Sequence, residues 1–224
     1  MSDMSGDETT INVLVDAIDT YLAVLDGPGI VDVRTAIHAW RSGSFQTVPA
    51  HRHSAMGHLQ SATDDIAARG RKDLATAISD AASLLRWVPY DSYPRHLIGE
   101  AFADAHAFAS LAEYRVSDTP MDFDFGLFII GPDLLYRDHN HAAPELYAPL
   151  TGPHGFRFAS GQALSWSPAD RPVWNTPFRQ HAIKTGPLPF LCIYAWTSDN
   201  EAPAQIIVEP DWADLEASQP PITA

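Results

Sequence analysis

The densest chemistry in the chain is the run His139-Asn-His141-Ala-Ala-Pro-Glu145-Leu-Tyr147. In an extended strand, residues i and i+2 point to one face, so His139 and His141 aim two imidazoles into one space. Glu145 and Tyr147 repeat that relation, and Pro144 places a bend between the two pairs. Two imidazoles and a carboxylate suit Zn, Fe, Mn or Ni and leave coordination positions for a substrate. A further ligand is expected from a distant strand, and His181, heading a strand-like run after the Pro177 turn, is the best placed. The other His-x-His pair, His51 and His53, has no Glu at matching spacing and reads as surface or structural. Cys192, the single cysteine, lies in an apolar run and reads as a buried structural thiol. One cysteine also excludes an internal disulfide.

The elements that must position these residues divide by period. Leu14, Ile18, Tyr21, Leu22 and Leu25 form one helical stripe that ends at Gly27-Pro28-Gly29. Further helices are expected over residues 31–40 and 72–87. From Leu111 onward short apolar or alternating runs replace the helical period, at 123–130, 134–141, 146–150, 156–158, 163–166, 181–183, 190–196 and 205–208. Gly, Pro, Asn and Asp separate them, which implies an antiparallel sandwich or barrel. The fold class is therefore α+β, with an N-terminal helical region (1–110) packed on an antiparallel β-barrel (111–209). A Pro-rich, acidic stretch (210–224) is expected to be a loose tail.

The 224 residues, 46% hydrophobic and 19% charged, have ordinary globular composition. A formal charge of −14 argues against a nucleic-acid partner and against docking on anionic membranes. No apolar stretch reaches the roughly 20 residues that span a bilayer. Residues 1–10 lack a basic segment followed by an apolar one, so a cytoplasmic location is expected.

His-x-His-x3-Glu with Gly152 after six further residues resembles the first cupin motif, with seven residues rather than five between Gly131 and His139. The second motif is degenerate: Gly161, Pro168 and His181 are present at longer spacing, and Thr185 stands where that motif has Asn. Tyr136-x2-His139-x-His141-x3-Glu145-x-Tyr147 is similar to the signature of the cupin-type dimethylsulfoniopropionate (DMSP) lyases. Pro144–Tyr147 and Leu150–Pro153 extend the likeness, which at motif level covers about residues 125 to 196.

The resemblance implies helices followed by a cupin barrel (double-stranded β-helix). It also implies one divalent transition metal ion (Fe2+, Zn2+, Mn2+ or Ni2+) on His139, His141, Glu145 and His181. Tyr147 matches the proposed base and Tyr136 a second tyrosine near the metal. The implied reaction is β-elimination of a small-molecule substrate to acrylate and dimethyl sulfide. In an ideal strand Tyr136 has the opposite parity to His139, so it reaches the same space only across a turn or bulge. A sulfonium needs aromatic faces, and Trp166, Trp174, Phe178 and Trp196 are the candidates in this half. His154 and Arg157 read as solvated loop residues. Sugar isomerisation, oxygen-dependent cleavage and non-catalytic ligand binding use the same ligand set and stay open, as does assembly into a homodimer.

Overall fold

The computed structural model describes residues 6–118 and 121–221. The first residues of the acidic N-terminal stretch and the last three of the expected tail lie outside them. Helices α1 (Gly6–Leu22), α2 (Ile30–Trp40), α3 (Leu59–Ala68) and α4 (Lys72–Ala81) precede two one-turn helices, α5 (Arg95–Ile98) and α6 (Glu100–Asp104). A last helix, α7, spans Trp212–Ala217. The strands are β1 (Ser44–Phe45), β2 (His106–Ser110), β3 (Arg115–Val116), β4 (Asp124–Ile130), β5 (Leu135–Asn140) and β6 (Glu145–Pro149). They continue with β7 (His154–Arg157), β8 (Ser165–Ser167), β9 (Val173–Asn175), β10 (His181–Thr185), β11 (Phe190–Trp196) and β12 (Gln205–Ile206). No helix among the described residues is long and apolar enough to cross a membrane.

The strands form two five-stranded antiparallel sheets, ordered β12-β5-β10-β7-β8 and β2-β4-β11-β6-β9; β1 and β3 pair separately. No ladder joins the two large sheets among the described residues, so the expected barrel takes the form of two facing sheets. Their inner faces share one aromatic interior. Phe128, Tyr147, Phe190 and Tyr194 of one sheet meet Tyr136, Phe156 and Ile183 of the other.

The apolar runs of β4 and β11 are unbroken because both of their faces are covered. Phe128, Ile130, Phe190, Cys192 and Tyr194 face the interior. Phe125, Leu127, Ile129, Leu191, Ile193 and Ala195 pack against Leu14, Ile18, Ile37, Trp40 and Ile78 of the helices. Cys192 is buried there, as its surroundings imply.

Several elements depart from the sequence pattern. Helix α4 stops at Ala81, because Arg86 and Val88 leave it to bridge His51 and Phe108. His51 donates from Nδ1 to the Trp87 carbonyl (2.6 Å), and His53 Nδ1 accepts from the Ala55 amide, so both serve the backbone. Helix α3 was not expected, since its apolar stripe is only Leu59, Ala62 and Ile66. His154 and Arg157 are not solvated: both are buried in β7. The stretch after residue 209 is not loose throughout, because α7 docks on β5. The Trp212 Nε1 donates to Asp138 (2.9 Å), Asp211 pairs with Arg157 (2.6 Å), and the Arg137 guanidinium lies over the Trp212 ring.

Candidate metal centre

Strand β5 brings Tyr136 and His139 to the interior, and His141 follows its last residue. β6 supplies Glu145 and Tyr147, and β10 supplies His181, whose Cα pairs with that of His139. Two residues further along β10, Ile183 pairs with Tyr136, so three steps of β5 oppose two of β10. That bulge supplies the one-residue shift that the parity argument requires. It turns Tyr136 to the His139 side, and the two rings stack at 3.9 Å.

The three imidazoles converge. Their ligand atoms lie within 4.8 Å of one another, and all three residues are buried. Each ring is oriented by its own backbone: His139 Nδ1 donates to the Arg137 carbonyl (2.8 Å), His141 Nδ1 to that of Ala143 (2.8 Å), and His181 Nδ1 to that of Arg179 (2.9 Å). A carbonyl can only accept, so these bonds fix the Nδ1–H tautomer and turn the Nε2 lone pairs inward. His139 Nε2 and His181 Nε2 are buried without a hydrogen-bond partner, each an expense of about 1–3 kcal/mol if nothing answers it.

Glu145 completes the cluster. Its Oε2 lies 3.1 Å from His141 Nε2 and 3.4 Å from His181 Nε2. Oε2 also accepts from Asn175 Nδ2 (3.1 Å), and Oε1 accepts from Trp196 Nε1 (2.7 Å). His141 already donates from Nδ1, so Nε2 can donate to Glu145 only from a protonated ring.

The charges follow this geometry. Burial and the neighbouring His181 and His141 push the His139 ring well below the usual imidazole range. Burial opposes charge on His141, yet Glu145 outweighs it and raises that ring. Burial likewise opposes the Glu145 carboxylate, but His141 and His181 hold it well below the carboxylate range. A divalent cation would satisfy inward lone pairs and a carboxylate at once, so the residues present fit such an ion.

Around the cluster lie the tyrosines. Tyr147 is buried, with its ring 6.2 Å from that of His181; burial first, then the Glu145 charge, push its hydroxyl well above the phenol range. Tyr136 is raised by burial and by Tyr93, whose hydroxyl it meets at 2.9 Å.

Of the four aromatic candidates, the structure brings only Trp196 to the cluster, its ring 4.6 Å from that of His141. Trp174 pairs with Leu146, which faces the helices, and a Cβ on Gly29 would stand 2.1 Å from its ring. The neighbouring Asn175, opposite Glu145, points inward instead. Trp166 pairs with Gly155 near Gly152 and Pro168, away from the histidines. Phe178 is 66% exposed in a turn with φ 59°.

Two site residues carried no sequence signal. Tyr93 comes from an irregular loop, and its ring lies 6.2 Å from that of His139. Asn175 ends a three-residue strand too short to show alternation.

The dimethylsulfoniopropionate lyase family model matches residues 33–192. The chain belongs to this family. No curated protein matches it. Among solved structures, the DMSP lyase described in "Crystal structures of DMSP lyases RdDddP and RnDddQII" superposes with a TM-score of 0.67 at 17% identity, covering 91% of this chain and 100% of that one. The DMSP lyase DddQ from Ruegeria pomeroyi DSS-3 superposes with a TM-score of 0.60 at 18% identity, covering 89% and 96%. At such identities these likenesses establish a shared fold, which extends over the helices as well as the sheets. Within this DMSP lyase family member, the histidine cluster suits a metal site.

Proposed function

We propose that the chain is a metal-dependent carbon–sulfur lyase that cleaves dimethylsulfoniopropionate to acrylate and dimethyl sulfide. His139, His141, His181 and Glu145 would hold the ion, and Tyr147 would be the base. The observation that carries this reading is the convergence of three backbone-oriented imidazoles on one point, with Tyr147 two residues along the same strand face as Glu145. When bound, a divalent cation supplies Lewis-acid charge for a substrate carboxylate and for the enolate-like charge that builds beside it, and it favours the phenolate of a nearby tyrosine.

The chain's own groups do the rest. Tyr147 Oη takes the proton from Cα. The electrons of that C–H bond become the new carbon–carbon double bond, and the Cβ–S pair leaves with sulfur as neutral dimethyl sulfide. Tyr147 is buried, which excludes water as a competing acid beside it. Trp196 presents an aromatic wall against His141, where a sulfonium gains about 0.5–2 kcal/mol from a ring face. Tyr136, stacked on His139, and Tyr93 at its hydroxyl keep the ligand ring in place.

The test is release of acrylate and dimethyl sulfide from dimethylsulfoniopropionate at matched metal loading. Wild-type protein turns over, and Tyr147→Phe loses about 10²–10⁴-fold in kcat at unchanged metal content, the range for losing a positioned base. Absence of turnover from fully metallated wild-type protein would overturn the lyase reading.

A further inference from the structure

A second cavity, of about 220 Å3, opens beside the metal cluster and shares Trp196 with it. Its walls come from the inner face of one sheet and the segment that crosses it: Phe108 and Ser110 of β2, Asp124 of β4, Tyr194 and Trp196 of β11, and Tyr90. Arg86 and Glu113 also line it, and they pair with each other at 2.8 Å. Their charges therefore cancel.

Asp124 is different. Its carboxylate accepts from Ser110 Oγ (2.5 Å) and from Tyr194 Oη (3.0 Å), both neutral groups. No Lys, Arg or His side chain pairs with it among the described residues. Burial raises the Asp124 carboxyl, while the Ser110 and Tyr194 hydroxyls favour its charged form. The cavity thus holds one carboxyl group without a cationic partner among four aromatic rings, and its volume is below that of a drug-sized ligand site.

We infer that this cavity is a docking site for a small organic onium cation, with Asp124 as counter-charge and Phe108, Tyr90, Tyr194 and Trp196 as ring walls. Ring faces attract a cation that sheds little water, and a carboxylate already held by two hydroxyls is pre-oriented to face it. A compact, strongly hydrated ammonium would lose more water on entering than an alkylated one, so the site favours sulfonium and quaternary ammonium groups over Lys-like amines. On the lyase reading, on which this consequence rests, the cavity gathers the substrate by its sulfonium before the carboxylate meets the metal.

The probe is tetramethylammonium, titrated calorimetrically into the full metal-loaded chain, with tert-butanol as a neutral molecule of similar shape. Tetramethylammonium has no carboxylate and no cleavable bond, so the outcome does not depend on lyase activity. Saturable binding of the cation, at least tenfold tighter than tert-butanol and weakened at least tenfold by Asp124→Asn, supports the site. No saturable binding, equal affinity for the neutral probe, or undiminished binding in the variant overturns it. The comparison between the two probes is made in wild-type protein and stands even if the variant does not fold.

Discussion

Two buried charged clusters sit on opposite faces of β5, and they are built in contrasting ways. On the outer face Arg157 and Asp138, both fully buried, form a saturated network. Arg157 donates to both Asp138 and Asp211, while Asp138 also accepts from Gln180 Nε2 (2.9 Å) and Trp212 Nε1 (2.9 Å). Burial works against the guanidinium's charge, yet the two carboxylates outweigh it and raise its pKa. On the inner face His139 and His181 keep unanswered Nε2 atoms. Buried charge alone is therefore no mark of a site. What separates the two clusters is whether the lone pairs and protons are already matched.

The contrast can be broken from the saturated side first. Arg157→Met leaves Asp138 buried without its cation, and unfolding by urea should show a loss of about 3–5 kcal/mol. The inner histidines keep their backbone anchors, so on the proposed metal reading the refolded variant should still take up metal. A larger loss of metal uptake than of stability would merge the two clusters into one.

A buried histidine with matched groups behaves in a third way. His106 donates from Nδ1 to the Phe102 carbonyl (2.7 Å) and accepts at Nε2 from the Tyr90 amide (3.0 Å), and burial lowers its pKa to about 4. The folded ring stays neutral where the unfolded one, near 6.5, takes a proton. Its contribution is complete above pH 6.5 and is lost as pH falls toward 4, at about 1.4 kcal/mol per pH unit. Unfolding free energies across that window should show the slope, and His106→Gln should flatten it.

On the inner face, His139→Ala removes one of the three imidazoles proposed to hold the ion. Metal affinity, measured by competition with a chelator, should fall by more than the roughly 100-fold expected for losing a supporting partner. Asn175→Ala removes only a hydrogen bond to Glu145, and a fall of about tenfold is expected. Equal losses in the two variants would deny His139 its place among the ligands.

The sequence exposes this inner face unevenly. His139, His141, Glu145 and Tyr147 are readable because each pair obeys the two-residue period within a strand or at its edge. The position of Tyr136 is not, because it depends on a bulge that exists only through pairing with β10. Trp174, one of the aromatic candidates, lies opposite Leu146 and its neighbour Asn175 opposite Glu145, and one residue is enough to exchange the interior for the helix side. Tyr93 is invisible to any period, since its loop is placed by tertiary contacts alone. Among the helices, the stripe of α1 is plain, whereas α3 hides behind alanines whose burial depends on what packs over them. The docking of α7 is hidden for a similar reason. Asp211 and Trp212 look like solvent-facing residues until Arg157 and Asp138, more than fifty positions away, supply partners.

That docking also bears on timing. Asp138 adjoins His139 and Gln180 adjoins His181; Trp212 donates to Asp138, Gln180 donates to Glu209, and Asp211 pairs with the Arg157 that also holds Asp138. The brace for two of the three histidines is thus translated after all of them. A growing chain presents its imidazoles on strands still unbuttressed until residues 209–212 have emerged, so the outer brace closes around a cluster whose rings already hold their backbone anchors.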